Sequence, residues 1–190
     1  MHYNAQCELN SGFMSGTTAL KTLIIGDSTP SIGSVAFASC RNLTSVTIGS
    51  GVTSIGGDAF KGCSSLEEMH YNAQCELNSS FMSGTTVKTV VIGETTSSIG
   101  ANAFAGCGSL TSIDIPNNVT SIGGSAFIGC SGLTRVTIPD SVTSIGYNAL
   151  DSCSIAELYY NAQCELSVMF MGVTTVKTLV IGDSTPSIGN

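Results

Sequence analysis

Hydrophobic residues recur along this chain at fixed positions of a unit of 21 to 23 residues. The unit is clearest at 133–153, LTRVTIPDSVTSIGYNALDSC, and a shift of 23 residues towards the N-terminus gives 110–130, LTSIDIPNNVTSIGGSAFIGC. Further copies start at positions 20, 43, 87 and 176. Self-similarity at such a period is typical of a solenoid, in which each repeat packs only on its neighbours.

Each unit opens with the pattern L-x-x-V-x-I, as in Leu43, Val46 and Ile48. Apolar residues that alternate with polar ones, many of them β-branched, predict a short strand with one buried face. A single unit is too small to bury its own apolar set. We therefore expect the strands of successive units to stack in parallel and in register, forming one sheet along the molecule.

The second half of the unit carries V-x-x-I-G, as in Val142, Ile145 and Gly146, where we expect the glycine to take a positive φ. The closing segment A-F-x-x-C, for example 126–130, has helical spacing but is too short for a helix, so it predicts one α- or 3₁₀-type turn. The predicted fold class is an α/β, β-rich solenoid. It has a parallel in-register sheet on one face and short strands and single helical turns on the others.

A second, variant repeat carries the phrase NAQCEL. It covers 1–19, returns almost unchanged at 69–86, and appears a third time at 158–175. Two or three standard repeats follow each of the first two variant repeats without a linker, so 1–190 is predicted to be a single solenoid of about nine rungs, roughly 40 Å long. Neither end resembles the polar caps of repeat proteins, and we expect a slice of a longer array.

The eight cysteines all occupy fixed repeat positions. Three lie in the NAQCEL phrases, and five close the A-F-x-x-C segments: Cys40, Cys63, Cys107, Cys130 and Cys153. Stacked rungs bring such positions within disulfide range, but their Cβ vectors run parallel, which is poor geometry for a bridge. We therefore expect a structural column of reduced thiols that pack as small hydrophobes.

Composition narrows the function mainly by exclusion. Charged residues are 10% of the chain and the net charge is −7, so the basic surface that binds nucleic acid or anionic lipid is absent. No apolar run reaches the roughly 18 residues of a membrane span, and no signal segment opens the chain. No phosphate-binding loop, nucleophile elbow or nucleophile–base set occurs either. We expect a protein that is not an enzyme and has no cofactor, with a glycan-processing enzyme as the third alternative.

The outward strand positions form columns of mostly Thr and Ser, which the variant repeats interrupt. The candidate binding residues of this sheet face are Glu67, Glu68, His70, Arg135, Glu157 and Tyr159. Acidic, aromatic and hydroxyl groups on a rigid sheet suit a peptide or a glycan. A metal site at His70 is not expected, because alternation along the strand separates the two neighbouring glutamates and no second histidine is near.

The units at 110–130 and 133–153 closely follow LTSVTIPxSVTSIGxxAFxGC. In this motif the chain resembles the BspA-like (Treponema pallidum-type) class of leucine-rich repeat proteins, and the resemblance covers essentially the whole chain. One departure concerns the asparagine ladder of general leucine-rich repeats. Of the matching positions only Asn118 holds asparagine, so a continuous ladder is not expected.

The resemblance implies a secreted or surface-attached protein, since members of this class are typically found on host-associated bacteria and some parasitic protists, and several are implicated in adhesion. We therefore expect a non-enzymatic binding or adhesion module, outside the cell or on its surface, that recognises a protein or glycan of a host or neighbouring cell. The alternative is a structural subunit whose uncapped ends stack head to tail into a filament.

Overall fold

The computed structural model describes residues 1–3, 6–77, 82, 85–164 and 175–186 of the chain. Strands are numbered in chain order. One face carries β1 (His2–Tyr3), β2 (Thr22–Ile25), β4 (Ser45–Ile48), β6 (Glu68–Tyr71), β7 (Thr89–Ile92), β9 (Ser112–Asp114), β11 (Arg135–Ile138), β13 (Glu157–Tyr160) and β14 (Thr178–Ile181). The second face carries β3 (Ser31–Ile32), β5 (Ser54–Ile55), β8 (Ser98–Ile99), β10 (Ser121–Ile122) and β12 (Ser144–Ile145).

All pairings between these strands are parallel, which confirms the predicted solenoid of stacked parallel strands. On the first face the hydrogen-bonded order is β1-β2-β4-β6-β7-β9, followed by β11-β13-β14, with β9 and β11 in contact between the two sets. Equivalent repeat positions are in register, so that Leu23, Val46 and Met69 lie in one row.

Alternating burial along the strands explains the stacking. In β4 the side chains of Val46 and Ile48 are fully buried, whereas those of Ser45 and Thr47 point outward and are partly exposed. The same core also contains Val52, from the segment between β4 and β5, and the ring of Phe60, from a turn segment. Each rung therefore buries its apolar row against the row of the next rung, and the core runs along the axis.

The glycine of the S-I-G segment serves close packing and not a positive φ, so that expectation was wrong. A Cβ on Gly56 would lie 2.4 Å from the backbone N of Ser34, and one on Gly146 would lie 2.2 Å from the backbone N of Gly124. Neither glycine has a positive φ. Glycine is required here because the backbones of adjacent rungs approach too closely for any side chain.

The predicted single helical turns are not found, and none of the described residues lies in a helix. In the segment 35–40, N–H groups donate alternately in two directions. Those of Val35, Phe37 and Ser39 donate to carbonyls of the following rung at 3.0, 2.8 and 2.7 Å. The N–H groups of Ala36, Ala38 and Cys40 donate to carbonyls three residues earlier, at 3.1 to 3.3 Å. The segment is a run of β-turns that is hydrogen-bonded to the equivalent segment of the next rung.

Left-handed backbone positions explain why a helix cannot form in these turn segments. Val35 has φ 50° and Ser39 has φ 58°, and the same two positions are left-handed in other rungs. A right-handed helical turn needs negative φ throughout. The spacing A-F-x-x-C fits both structures, and the turn prevails because it leaves every second N–H free to bond the next rung.

A mixed polar ladder occupies the positions where other leucine-rich repeats place asparagine. Gln74 Nε2, Asn118 Nδ2 and Ser141 Oγ donate to backbone carbonyls of the preceding rung at 2.8, 3.3 and 2.7 Å. Thr95 Oγ1 donates to the preceding rung in the same way. Different polar residues thus tie neighbouring rungs together at one level of the solenoid.

The variant repeats replace the last inward isoleucine of the strand by a tyrosine. The buried Tyr71 hydroxyl donates to the backbone carbonyl of Cys75 at 3.1 Å and lies 3.1 Å from its Sγ. Tyr160 and Cys164 repeat this arrangement. Burial, followed by the contact with Cys75, raises the pKa of Tyr71. The Tyr-x-x-x-Cys spacing therefore marks a structural contact that the sequence analysis did not identify.

The prediction of one solenoid of about nine rungs with both ends uncapped stays a prediction. The last four residues, 187–190, on which it partly depends, lie outside the described residues, as do 165–174 of the third variant repeat.

Candidate functional site

All six predicted binding residues lie on the first face, on or immediately before the strands of two variant rungs and their neighbours. The pleat of β6 brings Glu68 and His70 to the outside and buries Met69 and Tyr71 between and after them. In β13 the same alternation brings Glu157 and Tyr159 outward. Two groups of polar side chains result, one centred on β6 and one on β13.

The first group, here called the acidic patch, consists of Glu67, Glu68, His70 and Lys88. His70 Nε2 lies 3.1 Å from Glu68 Oε1, and Ser45 Oγ donates to the other oxygen of Glu68 at 3.5 Å. Lys88 Nζ pairs with Glu67 Oε1 at 2.7 Å. Glu67 is thus held by the next rung, whereas Glu68 is held by His70 of its own strand and by Ser45 of the preceding rung. All four side chains are at least one-third exposed.

The second group, here called the basic patch, consists of Arg135, Glu157, Tyr159 and Lys177. Arg135 Nε lies 3.5 Å from Glu157 Oε2, and its guanidinium carbon lies 4.8 Å from the centre of the Tyr159 ring. These contacts join β11 to β13, whose residues Arg135 and Glu157 are in register. A cation over an aromatic face is a favourable arrangement, so the ring and the guanidinium orient each other.

The two patches occupy equivalent positions of two variant rungs. Glu68 and Glu157 hold one column, and His70 and Tyr159 hold the next. The rung after each patch presents an exposed valine beside the ring, Val91 after His70 and Val180 after Tyr159. The sequence analysis did not include the two valines and the two lysines in the site, because the register between rungs decides which outward residues are neighbours.

The cysteines of the predicted thiol column are held by the backbone. All eight cysteines fall within the described ranges and are free thiols. Four of them donate to a backbone carbonyl 26 residues earlier, at 3.0 to 3.2 Å: Cys40, Cys63, Cys130 and Cys153. Burial raises the pKa of Cys63 to about 12 and that of Cys107 to about 11. Cys63, which is fully buried, and Cys107, which is partly buried against the core, are therefore protonated at neutral pH.

Two further observations bear on chemistry. In the described ranges no three His, Cys, Asp or Glu side chains are grouped so that they could hold a metal ion. Of the residues that the structure describes, none belongs to a helix with the length and apolarity needed to span a bilayer.

A solenoid of parallel strands with one leucine-rich pattern repeated in every rung places this chain in the class of leucine-rich repeat proteins. Within this class the sequence matches the family described as BspA type leucine rich repeat region, in six copies over residues 7–109 and 97–190. The chain belongs to this family. No curated protein matched the sequence.

A solved structure of a leucine-rich repeat protein shares the fold. A leucine-rich repeat protein from Bacteroides ovatus superposes with a TM-score of 0.69 at 24% sequence identity, covering 96% of this chain and 54% of that one. The leucine-rich repeat protein of T. pallidum gives a TM-score of 0.40 at 21% identity, covering 96% of this chain and 66% of that one. The chain therefore spans less than two thirds of the length of either protein.

Proposed function

We propose that this protein is a non-enzymatic binding or adhesion module that recognises a protein or a glycan through the first face of its solenoid. The observation that carries the proposal is the pair of patches, which interrupt an otherwise Thr- and Ser-rich face at two variant rungs. Interlocked rungs hold the outward side chains at fixed positions, and repeat proteins commonly use such extended surfaces for binding.

The chemistry of the patches supports binding more than catalysis. Glu68 and Glu157 offer exposed carboxylates that accept hydrogen bonds from hydroxyl or ammonium groups. His70 and Tyr159 offer rings, and the neighbouring valines add apolar area. The carboxylates are paired with His70, Lys88 and Arg135, and none of these groups is a nucleophile activated by an adjacent base.

The proposal includes a location outside the cell or on its surface, which the family membership supports. Antibody labelling of intact cells of the source organism tests it. We expect labelling without permeabilisation, and labelling seen only after permeabilisation would contradict the location.

A binding experiment tests the face itself. The 190-residue chain and a variant with Glu68, His70, Glu157 and Tyr159 all replaced by alanine are applied to arrays of glycans and of matrix proteins. We expect the parent chain to bind a subset of the array and the variant to lose that binding, because all four substitutions fall on outward positions of the first face.

The matched control replaces two exposed residues of the turn segments, Lys61→Ala with Tyr147→Ala, and is expected to bind like the parent. If the four-alanine variant retained binding, or if the control lost it to the same extent, the assignment of the first face would be wrong.

Head-to-tail self-assembly is a second candidate function, favoured by the surface of β14. Leu179 and Ile181 are 46% and 36% exposed, whereas their partners Leu158 and Tyr160 in β13 are buried. Among the described residues β14 pairs only with β13, and its exposed row is a surface on which a further rung can stack, whether that rung belongs to a longer chain or to a second copy. Light scattering across a dilution series separates the two candidates: a filament dissociates on dilution, and a mass that stays monomeric at every concentration removes this candidate.

A further inference from the structure

The two patches differ in the sign of their charge, although they occupy equivalent repeat positions. The acidic patch has two carboxylates and one ammonium group, beside the imidazole of His70. The basic patch has two cations, Arg135 and Lys177, and one carboxylate. The difference arises in two columns: Ser45 stands where Arg135 stands, and Glu67 stands where the basic patch has Ala156.

From this asymmetry we infer that the first face binds an extended peptide segment that carries a basic side chain over the acidic patch and an acidic side chain over the basic patch. The inference rests on the proposed function and specifies its partner. It identifies the ligand by charge complementarity and by the distance between the patches.

The distance between the two patches determines how many residues separate the two charged side chains of the peptide. From β6 the stack passes through β7, β9 and β11 to β13, four steps in all. At 4.7–4.9 Å per step the patch centres are about 19 Å apart. An extended peptide that runs along the solenoid axis advances 3.2–3.4 Å per residue, so six residues span about 20 Å. Six is an even number, and both charged side chains therefore project from the same side of the peptide.

The surface between and beside the patches suits such a segment. Column residues between them are short, Thr89, Ser112 and Thr111, and Asp114 adds one exposed carboxylate midway. The exposed valine beside each ring contacts the aliphatic stem of a long charged side chain, which favours burial of that stem while its charge stays in water. A neutral glycan carries no formal charge that would complement the opposite signs of the two patches.

The test uses two fluorescent nine-residue peptides of equal composition, TKTSTSTET and TTKSTESTT. In the first, Lys and Glu are six residues apart, and in the second they are three apart and on opposite sides of a strand. Binding to the 190-residue chain is measured by fluorescence anisotropy at low salt. We expect the first peptide to bind about tenfold more tightly than the second, and the difference to shrink as salt is added.

Charge-swap variants give the decisive comparison. The half-swapped variant, Glu67→Lys with Glu68→Lys, has two basic patches and is expected to lose about tenfold in affinity for the first peptide. The full swap adds Arg135→Glu and Lys177→Glu, restores opposite signs, and is expected to regain the affinity with the peptide reversed. All four side chains are exposed, and circular dichroism checks that the variants fold.

Equal affinity for the two peptides, no binding of either, or a full swap that fails to regain affinity overturns the inference. If the peptides fail while the glycan or matrix-protein arrays still respond to the four-alanine variant, the proposed function stands and only the peptide partner is wrong. If neither assay responds to substitutions on the first face, both are wrong.

Discussion

Individual residues of the turn segments are selected by backbone conformation. In each turn segment that the structure describes, two positions lie in the left-handed region, and most of them are filled by residues that tolerate it, such as Gly62, Asn102 and Asn148. Val35, with φ 50°, is the β-branched residue among these described positions. A β-branched side chain is poorly suited to this region, so the position stores strain that the surrounding hydrogen bonds hold in place.

Replacing Val35 by asparagine is expected to increase the free energy of unfolding by about 1 kcal/mol, because a left-handed backbone costs an ordinary residue about 1–2 kcal/mol and asparagine less. The Val35 side chain is 38% exposed, so little burial is lost. Urea unfolding measures the change. Val35→Ala keeps a Cβ without the polar group and should give only a smaller part of this increase. An asparagine variant that is no more stable than the parent would contradict the argument.

The thiol of Cys63 links stability to pH. Burial raises its pKa from 9.0 to about 12 in the folded chain. Between pH 9 and pH 12 the unfolded chain releases this proton and the folded chain retains it, so the free energy of unfolding falls as the pH rises. We expect Cys63→Ala to show a shallower fall than the parent over this window.

Urea unfolding at a series of pH values measures how steeply the free energy of unfolding falls with pH. The comparison uses this slope, because loss of the buried thiol also lowers the stability at every pH. Val52→Ala, which removes buried volume without removing a titrating group, is the control and should leave the slope unchanged. A Cys63→Ala slope equal to that of the parent would show that this thiol does not contribute to the alkaline loss of stability.

At the scale of the element, the rung is shaped by how closely its backbone approaches the next one. Strands, mixed polar ladder and turn segments all bond to neighbouring rungs, and each bonding level limits the size of the side chain that fits there. The adjacent glycines of the third rung show the limit directly. Gly56 packs against the backbone at Ser34, while a Cβ on Gly57 would meet nothing within 4 Å.

These two glycines give a matched pair of substitutions. Gly56→Ala is expected to lower the free energy of unfolding by about 2–3 kcal/mol, because the new methyl group forces two rungs apart. Gly57→Ala should change it by no more than about 0.5 kcal/mol. Urea midpoints compare the two variants, and similar losses at both positions would mean that close approach of the rungs is not the reason for the glycine.

At the scale of the whole molecule, the solenoid depends on register from rung to rung. The stability of such an array is approximately the sum of the stability of each repeat and of each interface between neighbouring repeats. A complete repeat can therefore be removed, whereas a deletion of part of a repeat disrupts the register. One residue of slip in a strand turns its buried row outward. The chain therefore tolerates changes of length only in steps of a complete repeat.

Deleting 113–135 joins Ser112 to Val136 and regenerates the strand pattern L-T-S-V-T-I. This variant is expected to fold cooperatively with reduced stability. Deleting 113–134 joins Ser112 to Arg135 and places the arginine in the buried column, which should cost at least about 3 kcal/mol more. Circular dichroism and urea unfolding measure both, and equal stability of the two deletions would contradict control by register.

Much of the architecture was predictable because its cause is local. The alternation at Val46 and Ile48 predicted the strands, and the fixed period predicted their parallel stacking. The turn segments were misjudged, since the spacing of 126–130 fits a helical turn as well as a run of β-turns. Outward placement of Glu68 and His70 followed from alternation, whereas the contacts that tie Arg135 to Tyr159 did not.

The sequence by itself determined that this chain stacks as a solenoid, because a row of apolar residues repeated at each turn has no other way to leave water. It also determined which positions of each strand face outward. Only the tertiary structure decided which outward side chains meet, why S-I-G needs a glycine, and that the closing segment bonds to its neighbour. These features depend on distances between residues about 20 positions apart, which a pattern within one repeat does not contain.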